Sequence, residues 1–298
     1  MFVIKYRKIF YTFSLILVLA SIFSFIFFGL RPGIDFSGGS ILDISYAQNR
    51  PELKFVQDAI GQFEKDALIR PSGEKGYIIR MKEIGQEEKN KILNSLEIKD
   101  NKLTENRFDS IGPVMGSEAL RKSAVSVILV ILGIVLYITF AFRKVSQPVS
   151  SSKYGLVAII ALVHDVIIPA GVFSILGHFA LYEVDTLFVT ALLVILGFSV
   201  HDTIVVFDRV RENLKLSMGR KPFETVVGES ISQTFVRSIN TSLTTLIALI
   251  VLYIFGGSST EHFSLTLIIG IAVGTYSSVF IGSPLLVTIE KWQRNRKK

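Results

Sequence analysis

Cysteine is absent from the 298 residues of this chain. A disulfide framework, thiol chemistry and thiolate metal sites are excluded with it. A second absence is positional. Residues 177–185 and 256–262 contain no Lys or Arg, although the chain has a formal net charge of +7. The basic excess falls at Lys5, Arg7 and Lys8, at Arg143, Lys144 and Lys153, and between Arg209 and Lys221. It resumes at Lys291, Arg294, Arg296, Lys297 and Lys298. Bases confined to alternate loops follow the positive-inside rule of membrane proteins. The same distribution removes the reading of +7 as a nucleic-acid footprint. The long polar stretch 31–121 holds near-equal numbers of basic and acidic residues. That stretch also lacks histidine, a nucleophile beside a base, and a phosphate-binding loop.

What is present is lipid-compatible surface. Half of the residues are apolar and the mean hydropathy is +0.50, too high for an ordinary soluble domain of this size. A spanning helix needs about 20 predominantly apolar residues. Six stretches qualify: 10–30, 122–142, 155–177, 186–207, 237–256 and 263–287. The charge pattern predicts both termini on the cytoplasmic side and 31–121 on the far side. The first span is expected to be an uncleaved anchor, because its apolar run is long and no small-x-small site precedes Arg31-Pro32.

The polar stretch reads as a small α+β domain. GIDFSGGSILDISY (33–46) gives a glycine-bearing lead-in, then a strand with Ile41, Asp43 and Tyr46 set against Leu42 and Ile44. PELKFVQDAIGQF (51–63) spaces Leu53, Val56, Ile60 and Phe63 as a helix. Residues 67–82 read as two strands around a turn, 85–98 as a charged amphipathic helix, and 105–116 as a strand ending at Gly-Pro. The order β-α-β-β-α-β is that of a ferredoxin-like split unit. Asp35, ahead of Gly38-Gly39, is read as a turn cap whose glycines permit positive φ.

The expected chain plan is therefore 1–30, a cytoplasmic N-terminus and helix 1; 31–121, the extracytoplasmic domain; and 122–207, helices 2 to 4. A cytoplasmic amphipathic connector follows at 208–236, read as a helical hairpin lying at the interface with Pro222 marking its turn, then helices 5 and 6 with a basic tail at 237–298.

Polar residues inside the spans carry the chemistry. Asp165, beside His164 in helix 3, lies about 18 Å from Lys153 at 1.5 Å per residue. Asp202, beside His201 in helix 4, lies about 25 Å from Asp185 and about 10 Å from Arg209. A charged Asp at the bilayer centre costs roughly 2.5–3.5 kcal/mol, so it needs a partner, a proton or a water path. The competing structural reading is a carboxyl bonding across helices, or a histidine satisfied by packing. Arg237, Asn240, Thr241, Thr244 and Thr245 recur as one polar face of helix 5. Arg237 can alternatively snorkel to the interface. Gly270-x-x-x-Gly274 in helix 6 is a close-packing seam. A metal between the His-Asp pairs is disfavoured, because adjacent helix residues point about 100° apart. The motif H-E-x-x-H is missing. An Asp165–Asp202 dyad for intramembrane proteolysis is a further alternative.

Several strings, in order along nearly the whole chain, resemble one family. They are FSGGS (36–40), SIGPVMGSEAL (110–120), HDVII (164–168), VHDTIVVFDRVREN (200–213), RSINTSLTTLIAL (237–249) and GTYSSVFIGSPLL (274–286). They resemble the SecF family of Sec-pathway membrane subunits, within the RND superfamily. His201 departs from that pattern, where Asn is more usual. The resemblance implies half of an RND-type bundle in the bacterial inner membrane. It implies SecD as heterodimeric partner, association with the SecYEG channel and YajC, and unfolded preprotein as substrate. It implies a proton gradient as energy source, with no cofactor and no enzymatic activity. Proton translocation would fall to Asp202 and Arg237, with Asp165, His164 and His201 beside them. Asp35, Phe36, Gly38 and Gly39 would form the hinge motif. A proton-driven exporter half for small molecules or lipids is the other reading.

Overall fold

The computed structural model describes residues 2–143, 150–218 and 220–296. Lys144, Lys297 and Lys298 lie outside the described residues. The chain divides into two compact units, one of Met1–Arg31 with Ala124–Lys298 and one of Pro32–Ser123.

The smaller unit opens with the single turn α3 (Ile34–Ser37) and continues through β1 (Gly39–Tyr46), α4 (Leu53–Ile60), β2 (Leu68–Ser72), β3 (Gly76–Met81), α5 (Gln86–Leu96) and β4 (Leu103–Ile111). The β-α-β-β-α-β order follows the periodicity of the sequence. The strands form one antiparallel sheet in the order β2-β3-β1-β4. Leu42, Ile44 and Tyr46 point into a core closed by Val56 and Ile60 of α4 and Ile92 and Leu96 of α5. Tyr46 therefore joins the Leu42 and Ile44 face. It was expected opposite, but side chains two residues apart share a face of a strand. Its hydroxyl donates to Leu96 O at 3.1 Å. Pro71 lies in β2, an edge strand, where a missing N–H is tolerated.

The larger unit begins with one turn, α1 (Phe2–Lys5), and the span α2 (Arg7–Phe28). It holds the rest of α6 (Pro113–Ala141), then α7 (Ser151–Phe179), α8 (Thr186–Ser217), α9 (Phe223–Phe255) and α10 (Ser258–Ser277). A π-helical turn, Ser278–Gly282, joins α10 to α11 (Ser283–Arg296). Six helices are long and apolar enough to cross a membrane, the last running through the π turn. Asp185 starts α8 by accepting a hydrogen bond from Phe188 N at 2.7 Å, a satisfied N-cap. Tyr154 stacks on Phe142 and meets Phe207 edge-on, joining α7, α8 and the end of α6.

The expected domain 31–121 agrees with the compact unit Pro32–Ser123, and α6 begins at Pro113 inside that unit. Residues 208–236 form a helical hairpin, as expected: they are the continuous ends of the spans α8 and α9, with Pro222 as the N-cap of α9. The reason is packing: Val210, Phe223, Val227 and Ile231 continue the apolar stripes of the two spans and are buried in the main core.

Candidate functional site in the helical unit

The two predicted carboxylates have different surroundings. Asp165 is sealed from solvent and fully partnered. Ser199 of α8 donates to its Oδ2. Ser277 of α10 donates to the same oxygen at 2.8 Å, and His164 Nδ1 lies 2.8 Å from Oδ1. One carboxyl thus ties three helices together. Two side chains missed in the sequence make this possible. Neither Ser199 nor Ser277 was among the candidate site residues. The signal for Ser199 is its place one turn before Asp202 on the same face. His164 is buried, its ring stacks on Tyr276, and its Nε2 has no hydrogen-bond partner.

Asp202 is 3% exposed. Its Oδ2 makes no hydrogen bond, and neither does the buried Ser238 Oγ of α9. Ser238 is nonetheless its neighbour, and the charges of Arg237 and His201 act on it through space. Asp202 is not among the partners of Asp165, so no shared-proton dyad forms between them. His201 faces outward. The two carboxyls therefore differ in their partners: hydrogen bonds from α8 and α10 hold Asp165, and Asp202 keeps one buried oxygen without a hydrogen bond.

Helix α9 presents two polar faces. Ser230, Thr234, Ser238 and Ser242 are buried, and Ser242 meets Thr275 of α10 at 2.6 Å. Sequence periodicity picked out the other face. Arg237, Asn240 and Thr244 are exposed, with Thr241 and Thr245 half-buried. The threonines satisfy themselves on their own helix: Thr241 donates to Arg237 O, Thr244 to Asn240 O and Thr245 to Thr241 O. Arg237 stands where the two faces meet.

The expected glycine seam is present. A methyl group at Gly270 would lie 2.1 Å from Ile195 Cδ1, and one at Gly274 would lie 3.1 Å from Ser199 Cβ. Close approach of α10 to α8 is what brings Ser277 to Asp165. Beyond the seam, Thr203 Oγ1 and Ser278 Oγ share a hydrogen bond of 2.9 Å, and Ser278 donates to Ser199 O at 3.2 Å. Among the described residues no three His, Asp or Glu side chains converge as a metal site would require.

In the smaller unit the FSGGS stretch is held by close backbone contact. Gly38 and Gly39 have φ of 74° and 121°. A Cβ on Gly38 would lie 2.7 Å from Pro113 Cα, and one on Gly39 would lie 2.7 Å from Met81 O. Phe36 is buried, and Asp35 lies in the first turn of α3. Gly38 therefore packs against Pro113, the first residue of α6.

Comparison with known proteins places this geometry in a family. The model described as protein export membrane protein SecD/SecF, C-terminal, matches residues 91–292. The SecD/SecF GG motif matches residues 23–49, which include Asp35 to Gly39. The protein translocase subunit SecF of Thermobaculum terrenum is 43% identical, with the alignment covering 97% of this chain and 93% of that protein. That of Sebaldella termitidis is 35% identical, covering 99% and 93%. The crystal structure of SecDF, a translocon-associated membrane protein from Thermus thermophilus, matches with a TM-score of 0.82 and 30% identity over 98% of this chain. The chain spans 38% of that longer protein. Six spans and a polar bundle core define a multi-pass membrane protein of the transport class. Within it, the chain belongs to the SecF family of protein translocase subunits, components of Sec protein export.

Proposed function

We propose that this subunit couples the proton-motive force to preprotein translocation and release on the outer side of the bacterial inner membrane. Asp202 is the proton-carrying group, and no cofactor takes part. The observation that carries this reading is the buried, unpartnered Oδ2 of Asp202. Both termini are cytoplasmic, and the ferredoxin-like Pro32–Ser123 unit is extracytoplasmic. SecD supplies the other half of the bundle, a reading supported by the longer SecDF protein of similar fold. SecYEG and YajC complete the machine, with unfolded preprotein as substrate.

The coupling follows from unequal tethering. Helices α7, α8 and α10 are tied through Asp165, Ser199 and Ser277. At the α8–α9 junction, Asp202 neighbours Ser238, and neither Asp202 Oδ2 nor Ser238 Oγ is held by a well-formed hydrogen bond. Protonation of Asp202 removes its attraction to Arg237 and alters packing at that junction alone. One proton crossing 100 mV supplies about 2.3 kcal/mol, comparable to the cost of repacking one polar contact. The shift reaches the outer unit through the chain at Arg31–Pro32 and through α6. Asp202→Asn keeps the shape and removes the titration. It is expected to assemble with SecD at normal level and to lose proton-driven stimulation of export into membrane vesicles. Undiminished stimulation would overturn the assignment.

A further inference from the structure

One apolar groove is lined by none of the candidate proton-coupling residues. It measures about 460 Å³ and lies between α1, α9 and the π turn. Its walls include Phe2, Ile4, Ile231, Phe235, Val236 and Phe280, and Ser232 is its single polar side chain. Ile4 anchors the floor in the main core. Phe2 and Val236 are each 65% exposed. The sequence makes α1 a separate turn, broken at Tyr6. Arg7 holds that turn in place, donating to Ile4 O at 3.0 Å and to Glu224 Oε1 at 2.9 Å.

The charges at this end are unbalanced. Glu224 is the shared partner of Arg7 and Lys291, two cations on one carboxylate. Lys5 and Lys8, which adjoin the groove-lining turn in the chain, are exposed. An apolar slot with exposed cations on the adjoining residues suits an amphiphile with an anionic head. Size discriminates further. A helix 10 Å wide occupies roughly 420 Å³ per turn, so the groove takes one turn of a partner helix at most. A flexible acyl chain fills it without such a limit. Basic pockets between spanning helices hold anionic headgroups in this way.

We propose that the groove is a binding site for an anionic phospholipid, its acyl chain against Phe2, Phe235 and Val236 and its phosphate at Lys5 and Lys8. The test is native mass spectrometry of the full chain. The chain is released from micelles supplied with phosphatidylglycerol or phosphatidylcholine at equal concentration. A single phosphatidylglycerol should be retained, and phosphatidylcholine about thirtyfold less, since two interfacial Lys add about 2 kcal/mol of attraction. Val236→Trp, which fills the groove from an exposed position, should abolish retention. The pair Lys5→Gln and Lys8→Gln should remove the headgroup preference while apolar retention persists. Thermal melts of the variants check that the fold is kept. Equal retention of both lipids by the unaltered chain overturns the proposal. So does retention that neither set of variants changes, or lipid bound to the isolated chain but displaced whenever a membrane partner co-purifies.

Discussion

Substituting Gly270 by Ala should destabilise the helical unit through one identifiable contact. The added methyl carbon would stand 2.1 Å from Ile195 Cδ1, 2.4 Å from Cγ1 and 3.0 Å from Cγ2. Carbon pairs rest at about 3.5–4.0 Å. Ile195 is completely buried, so it has no free space to swing into. Overpacking of this kind costs about 1–3 kcal/mol, and it pushes α10 away from α8, weakening the Ser277 bond to Asp165. Ile195→Ala removes every atom in the clash. By itself it opens a cavity at a cost of about 2–5 kcal/mol on the scale of soluble cores. The double variant should be less damaged than the sum, with a coupling of about 1–2 kcal/mol. Gly274→Ala is the internal comparison. Its closest contact is 3.1 Å, to Ser199 Cβ, so its cost should stay below about 1 kcal/mol. Reversible unfolding in mixed micelles measures all four. A neutral Gly270→Ala, or additivity within about 0.5 kcal/mol, would refute the argument that this seam sets the α8–α10 distance.

Two other outcomes follow from the same structure. Asp165→Asn weakens the hydrogen bonds from Ser199 and Ser277 and should lower stability by about 1–2 kcal/mol. Export stimulation per folded molecule should survive, and its complete loss at full stability would make Asp165 a proton carrier instead. Gly39→Ala forces a side chain into a φ of 121° and against Met81 O. It should cost about 2–3 kcal/mol, read as faster hydrogen exchange across residues 32–123, whereas Gly85→Ala, with open space around it, should cost only the N-cap preference of α5, about 0.5–1 kcal/mol.

Much of the molecule was legible in the sequence because its signals are local. Span length, alternate basic loops and the two helical and four strand periods each depend on neighbours a few residues apart. The hairpin at 208–236 was legible from its charges and from Pro222, which are local, whereas the burial of Val210 and Val227 depends on helices distant in the chain. Tyr46 was misassigned although strand alternation alone puts it with Ile44.

The sequence by itself determined that this is a six-span membrane subunit with carboxylates in its third and fourth spans, since an Asp in lipid is conspicuous wherever it falls. It did not separate the two carboxylates, because they share the same dipeptide and similar depth. Tertiary structure separated them. Asp165 gained two serine donors from other helices and became a clasp, while Asp202 was buried against Ser238 with one oxygen left open. The difference lies in which hydroxyl comes within hydrogen-bond reach. That is set by the close approach of α10 to α8 at Gly270 and Gly274, a contact between residues about 75 apart in the chain that no local pattern records.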